Sequence, residues 1–249
     1  METLKLKEKL ENLSLPWENG NENEKDKVYE QEGKLDDSLT KEFIKLAPFF
    51  LNGGYILVHK RYRVYLQQIE FYFHSEQPNG VKDDIVYHRN DYHVEGVLPY
   101  FVPITFHAHP SGYDIAFENP TEKYRASILI RAYEIYDEKY AENNADGKKF
   151  MKVEDRKFVY SHEPISNTQS TYLYDILNGF GTDIDICWID EKQQRNSKIE
   201  SPLKRKGVYK REKEEIKDKW KDPKYNIPRN RLWRFIREII KESQITKRT

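Results

Sequence analysis

Apolar and aromatic positions gather in short runs through the middle of the chain and thin out toward both ends. Residues 55–59 and 62–73 are rich in aromatic and β-branched side chains and predict a pair of strands turning at Lys60-Arg61. Residues 101–107 and 112–117 predict a second pair around Pro110-Ser111-Gly112, after a turn at Gln77-Pro78-Asn79-Gly80. Residues 126–135 are strongly apolar and predict a central strand. Upstream, Phe43, Ile44, Leu46 and Ala47 share one side of a helix that Ser38 would cap and Leu39 would start. Pro48 should end or kink that helix before the turn at Asn52-Gly53-Gly54. Residues 168–177 predict a helix, residues 184–189 a short extended segment, and residues 233–240 either a helix or the start of a strand.

Residues 1–38 read as a flexible arm, in which Leu4, Leu6, Leu10 and Leu13 form one short amphipathic face ahead of a polar stretch. No linker interrupts residues 39–249, and no internal repeat is found. The pattern predicts an α+β protein of one domain, a mostly antiparallel sheet with flanking helices.

Composition sharpens this picture. The chain has 249 residues, enough for a sizeable core, yet 34% are charged, so its surface must be dense in charge. Its one cysteine, Cys187, excludes an intrachain disulfide and a Cys-based zinc cluster; lying in an apolar run, it is expected to be buried and inert. With no apolar leader and no stretch of roughly 20 apolar residues, a cytoplasmic location is expected. The net charge is +0, but residues 191–249 hold 20 Lys+Arg against 9 Asp+Glu. That basic end predicts contact with a polyanion through Lys204, Arg205 and Lys206, and through Arg229, Arg231, Arg234 and Arg237. A Lys-rich solvated helix is the plainer alternative.

Glu70 and Arg131 stand out because each interrupts an apolar strand, where a lone charge is costly. On neighbouring strands they would most simply pair. Burial alone fits a structural ion pair as well as a catalytic one. Tyr72 projects from the same strand face as Glu70. His107 and His109 form a His-x-His pair that Asp114, His88 or His93 would have to complete to hold a metal. This keeps a metal-dependent hydrolase as an alternative. The chain has no Gly-rich phosphate loop, no Gly-x-Ser-x-Gly elbow and no credible catalytic cysteine.

Several short segments recur in a familiar order. They are Ile69-Glu70-Phe71-Tyr72, then Asp83-Asp84 followed by His88-Arg89, the hairpin of residues 106–118, and Ile128-Leu129-Ile130-Arg131-Ala132-Tyr133-Glu134. Lys206-Gly207-Val208 and Trp233-Arg234-Phe235 close the series. In that order, across most of residues 40–240, the chain resembles the methyladenine (alkyladenine) DNA glycosylases.

The resemblance implies that family's curved sheet and a base-releasing N-glycosylase acting on modified or damaged bases in DNA. Glu70 would activate water beside Arg131. Tyr72, His88, His107, His109 and Glu118 would hold a base flipped from a duplex. Lys204, Arg205, Lys206, Arg231 and Arg234 would contact phosphate, and neither a cofactor nor a metal would be needed. The family's two hairpin tyrosines fall near Ala108 and Ser111, and its asparagine falls at Glu118 or Asn119. A non-catalytic nucleic-acid-binding module is the third reading.

Overall fold

The computed structural model describes residues 5–13, 15, 28–77, 80–83, 85–86, 88, 98–109, 112–137, 185–191, 197–205 and 231–237. Two helices come first, α1 (Lys5–Glu11) and α2 (Val28–Leu51). Strands β1 (Gly54–Val58), β2 (Tyr62–Ser75), β3 (Thr105–His109), β4 (Gly112–Ala116), β5 (Tyr124–Asp137), β6 (Ile186–Asp190) and β7 (Arg234–Ile236) follow. They form one sheet in the order β3-β4-β5-β2-β1-β6, with β7 joined to β2, and every strand pair is antiparallel. The result is a single α+β domain, its sheet curved and nearly closed.

The long strands β2 and β5, of 14 residues each, form the spine. One face of that spine carries Val64, Leu66, Ile69, Phe71 and Phe73 from β2, with Ala126, Ile128 and Ile130 from β5, all in the core. Helix α2 covers this face with Leu39, Phe43, Leu46, Ala47 and Phe50. These fall at the three- and four-residue spacing that makes one apolar stripe on a helix.

Several expectations shift. The helix expected from Leu39 begins at Val28 and runs through Pro48 to Leu51. A proline removes one bond to the carbonyl four residues back. Here that residue is Ile44, 45% exposed and on the helix side away from the core. Part of the stretch read as a flexible arm is helical, and Leu6 and Leu10 of α1 join the core. Cys187, expected to be buried, is exposed, because Trp188 takes the inward position of β6 and strand alternation turns its neighbour outward.

The first hairpin turns one residue earlier than expected, at His59 and Lys60, with φ of 51° and 53°. Arg61 N–H donates to the Val58 carbonyl at 3.1 Å. Both left-handed residues lie in the three-residue loop of residues 59–61 that joins Val58 to its partner Tyr62. Strand β3 begins at Thr105 rather than at residue 101, because Ile104 has φ 67°, outside any strand conformation. At residues 233–240 the strand alternative holds for Arg234–Ile236. The helix expected over residues 168–177 lies outside the described residues. No helix among the described residues is long and apolar enough to cross a membrane.

Candidate active site

The face of the spine turned away from α2 carries polar groups, and two irregularities put them there. Up to Leu66 the even-numbered residues of β2 face the core; from Ile69 onward the odd-numbered ones do. The change occurs where Leu66 pairs with Tyr133, Gln68 with Ala132, and Ile69 with Ile130. Gln67 is thus an extra residue on β2, and Arg131 is an extra residue on β5. Each is a β-bulge, and the second restores the register that the first disturbs. Without the bulge at Gln67, alternation would turn Glu70 into the core.

Glu70 and Arg131 meet on this polar face. Arg131 donates from Nε at 2.9 Å and from Nη2 at 2.6 Å to a single oxygen, Oε2 of Glu70. The Tyr72 hydroxyl donates to the same oxygen at 3.1 Å. The Glu70 side chain has no exposure and that of Arg131 17%. Burial pushes the Tyr72 phenol well above its usual range, and the adjacent Glu70 carboxylate pushes it further. For Arg131, burial opposes the charge, but the attraction of Glu70 and Tyr72 outweighs it, so the guanidinium stays charged.

Cross-strand pairing extends the site. Glu70 pairs with Arg234 on one side and Leu129 on the other; Leu129 pairs with Asp114, and Asp114 with His107. Paired residues share a face, so Arg234, Glu70, Asp114 and His107 lie in one row across the sheet. The Ser127 hydroxyl donates to Asp114 Oδ2 at 2.9 Å.

A second cluster borders this row. His88 Nδ1 lies 2.6 Å from Glu118 Oε1. The other Glu118 oxygen accepts from the Phe101 N–H at 2.8 Å and from Arg125 Nη1 at 2.9 Å. Both oxygens of Glu118 are therefore engaged within the protein. It links His88 to Arg125 and to the backbone at Phe101. His88 stacks on Phe101 with centroids 4.1 Å apart, and Phe101 lies 5.1 Å from His107. Arg125, fully buried, also donates to Glu76 and to the Leu98 and Pro99 carbonyls, and its guanidinium lies 3.5 Å over the Tyr100 ring. This cluster fixes residues 98–101 beside the site. Sequence reading passed over Arg125 and Glu76, and took Asp83 only as part of an acidic stretch; Arg125, beside the apolar run of β5, carries the same signal that singles out Arg131.

The basic residues expected at a phosphate surface divide. Arg205 is buried and grips Asp83 from Nη1 at 2.6 Å, and its guanidinium lies 4.7 Å over the Tyr72 ring. One face of the ring expected to stack on a base is thus already covered. Arg231 donates to Asp36 at 3.0 Å and to the Lys82 carbonyl at 2.8 Å. Arg205 and Arg231 therefore turn inward, each toward an acidic partner, Asp83 buried and Asp36 half-buried. Arg234 is buried as well, beside Glu70 in the β2–β7 pairing. Lys204 is exposed. Lys206, Arg229 and His93 lie outside the described residues. His109 ends β3, but its side chain is not described. Among the described residues no three His, Cys, Asp or Glu side chains group as a metal would require.

Compared with known proteins, the chain matches no family model, no curated sequence and no solved structure.

Proposed function

We propose that the chain is a base-releasing N-glycosylase acting on modified or damaged bases in DNA, with Glu70 as the group that activates water. One observation carries the proposal: a buried carboxylate held on one oxygen by a guanidinium and a phenol, on the polar face of an otherwise apolar spine. Glu70 takes a proton from water as its oxygen bonds to the sugar C1′. The bond from C1′ to the base nitrogen breaks, its electron pair leaves with the base, and the base takes up a proton from solvent while Glu70 returns its own to solvent. The same negative charge stabilises the positive charge that develops on the sugar. Arg131 and Tyr72 fix the plane of the carboxylate. His88, held by Glu118 and stacked on Phe101, and His107 supply ring faces and edges for a flat heterocycle.

The test is incubation of the full chain with duplexes carrying a panel of modified bases, and with the matching free nucleosides, followed by mass detection of released base. Release from at least one duplex, abolished in Glu70→Gln, is the expected result. Release only from free nucleosides would move the substrate class away from DNA. No release from any member would overturn the reading.

A further inference from the structure

The Glu70–Arg131 geometry depends on where the two bulges sit, and one side chain grips the first of them. We infer that Arg237, acting through Gln67, is a positioning residue for the Glu70–Arg131 pair. Its sequence context reads as part of a basic, phosphate-facing cluster, but in the fold its side chain is buried.

Gln67 is held at two points by this one residue. The Arg237 backbone N–H donates to the Gln67 carbonyl at 2.8 Å. Its Nε donates to Gln67 Oε1 at 3.1 Å. The same guanidinium reaches the Leu51 carbonyl at the end of α2, at 3.3 Å, and Glu134 of β5, at 3.5 Å. It therefore ties the extra residue of β2 to the strand that carries the other extra residue, Arg131. Directly beyond the bulge, β7 pairs with Gln68, Ile69 and Glu70, so the segment ending in Arg237 braces β2 along the stretch where its alternation changes.

The physical consequence follows from strand periodicity. A bulge that moves by one position turns the residues it passes to the opposite face. If the bulge left Gln67 and moved past Glu70, the carboxylate would turn toward Phe71's side of the sheet, where α2 packs, and Arg131 would lose its partner. A planar fork of donors spans Gln67, Leu51 and Glu134 in fixed directions; a lysine ammonium gathers its donors at one point and lacks that reach.

The experiment needs no substrate, so the absence of base release would leave it standing. In the full chain labelled with nitrogen-15 arginine, the Arg131 Nε–H resonance is assigned by its loss in Arg131→Lys, and its exchange with solvent is measured. Arg237→Lys and Gln67→Ala should each speed that exchange by at least about tenfold, the opening that losing one ordinary hydrogen bond allows. Gln67→Glu keeps the acceptor and should retain slow exchange. Gln67→Ala, the milder change, decides the matter if Arg237→Lys does not fold. Unchanged Arg131 exchange in Gln67→Ala, whatever happens to melting temperature, would overturn the inference and leave Arg237 a tie that only stabilises the fold.

Discussion

The Phe43 ring of α2 stacks on the Phe71 ring of β2, with centroids 4.3 Å apart and planes 8° from parallel. Phe71 lies between Glu70 and Tyr72 in sequence, so seating it against the helix commits both neighbours to the opposite face. Trp233 meets Phe43 edge-on at 5.0 Å, closing the stack from the C-terminal side. The apolar contact and the polar site are two faces of one decision about the strand.

Phe43→Ala should therefore cost about 3–5 kcal/mol of stability, as for other fully buried phenylalanines. Urea unfolding followed by tryptophan fluorescence measures it. A loss near zero would mean that the ring is not seated on Phe71 in solution.

Arg131→Met removes the guanidinium but keeps much of its length. The Glu70 carboxylate would remain buried with the Tyr72 hydroxyl, and breaking one side of a buried pair costs about 3–5 kcal/mol. A change below about 1 kcal/mol would place the pair among solvated surface contacts instead. Thermal unfolding of the variant beside the parent chain distinguishes the two.

Glu118→Gln tests the second cluster. The amide still accepts from one donor, but it loses the charge that both His88 and Arg125 meet. Base release should fall by about tenfold or more through misplacement of His88, while Glu70 and Arg131 stay paired. The same rate in variant and parent would remove His88 from the working site.

Three tyrosines set an alkaline limit on stability. Burial raises the phenols of Tyr100 and Tyr124 to about 12, and pushes that of Tyr72 higher still. Their unfolded counterparts ionise near 10. A folded phenol that holds its proton more tightly than the unfolded one contributes stability that is complete below about pH 10 and is lost as pH rises through the folded value. Melting temperature should therefore fall above about pH 10, and Tyr124→Phe should flatten the fall; an equally steep fall in that variant would acquit Tyr124.

The spine of the fold was legible because β-branched and aromatic runs are local signals. The strands expected at residues 55–59, 62–73 and 126–135 correspond to β1, β2 and β5. Glu70 and Arg131 were legible as charges breaking apolar runs. The bulges were not, since alternation that changes phase inside a strand looks from sequence like a run apolar on both faces. Nor were the roles of Arg205 and Arg231. Their acidic partners, Asp83 and Asp36, lie 122 and 195 residues away along the chain. A count of charges by segment reads such arginines as surface, because pairing over that distance is decided only by the fold. The early start of α2 was hidden by the polar composition of residues 28–38.

The paired bulges also make β2 and β5 a single unit of inheritance. A one-residue deletion at Gln67 alone, or at Arg131 alone, leaves one strand out of phase with the other over the rest of their shared length. A substitution leaves this phase intact whatever else it costs, but a change in length must occur in both strands at once to keep it. Chimeras that take β2 from one parent and β5 from another would fail wherever the parents differ in this phase, however similar their sequences. Across descendants of this chain, insertions and deletions should be found in the loops and be absent from the stretches around Gln67 and Arg131 unless matched.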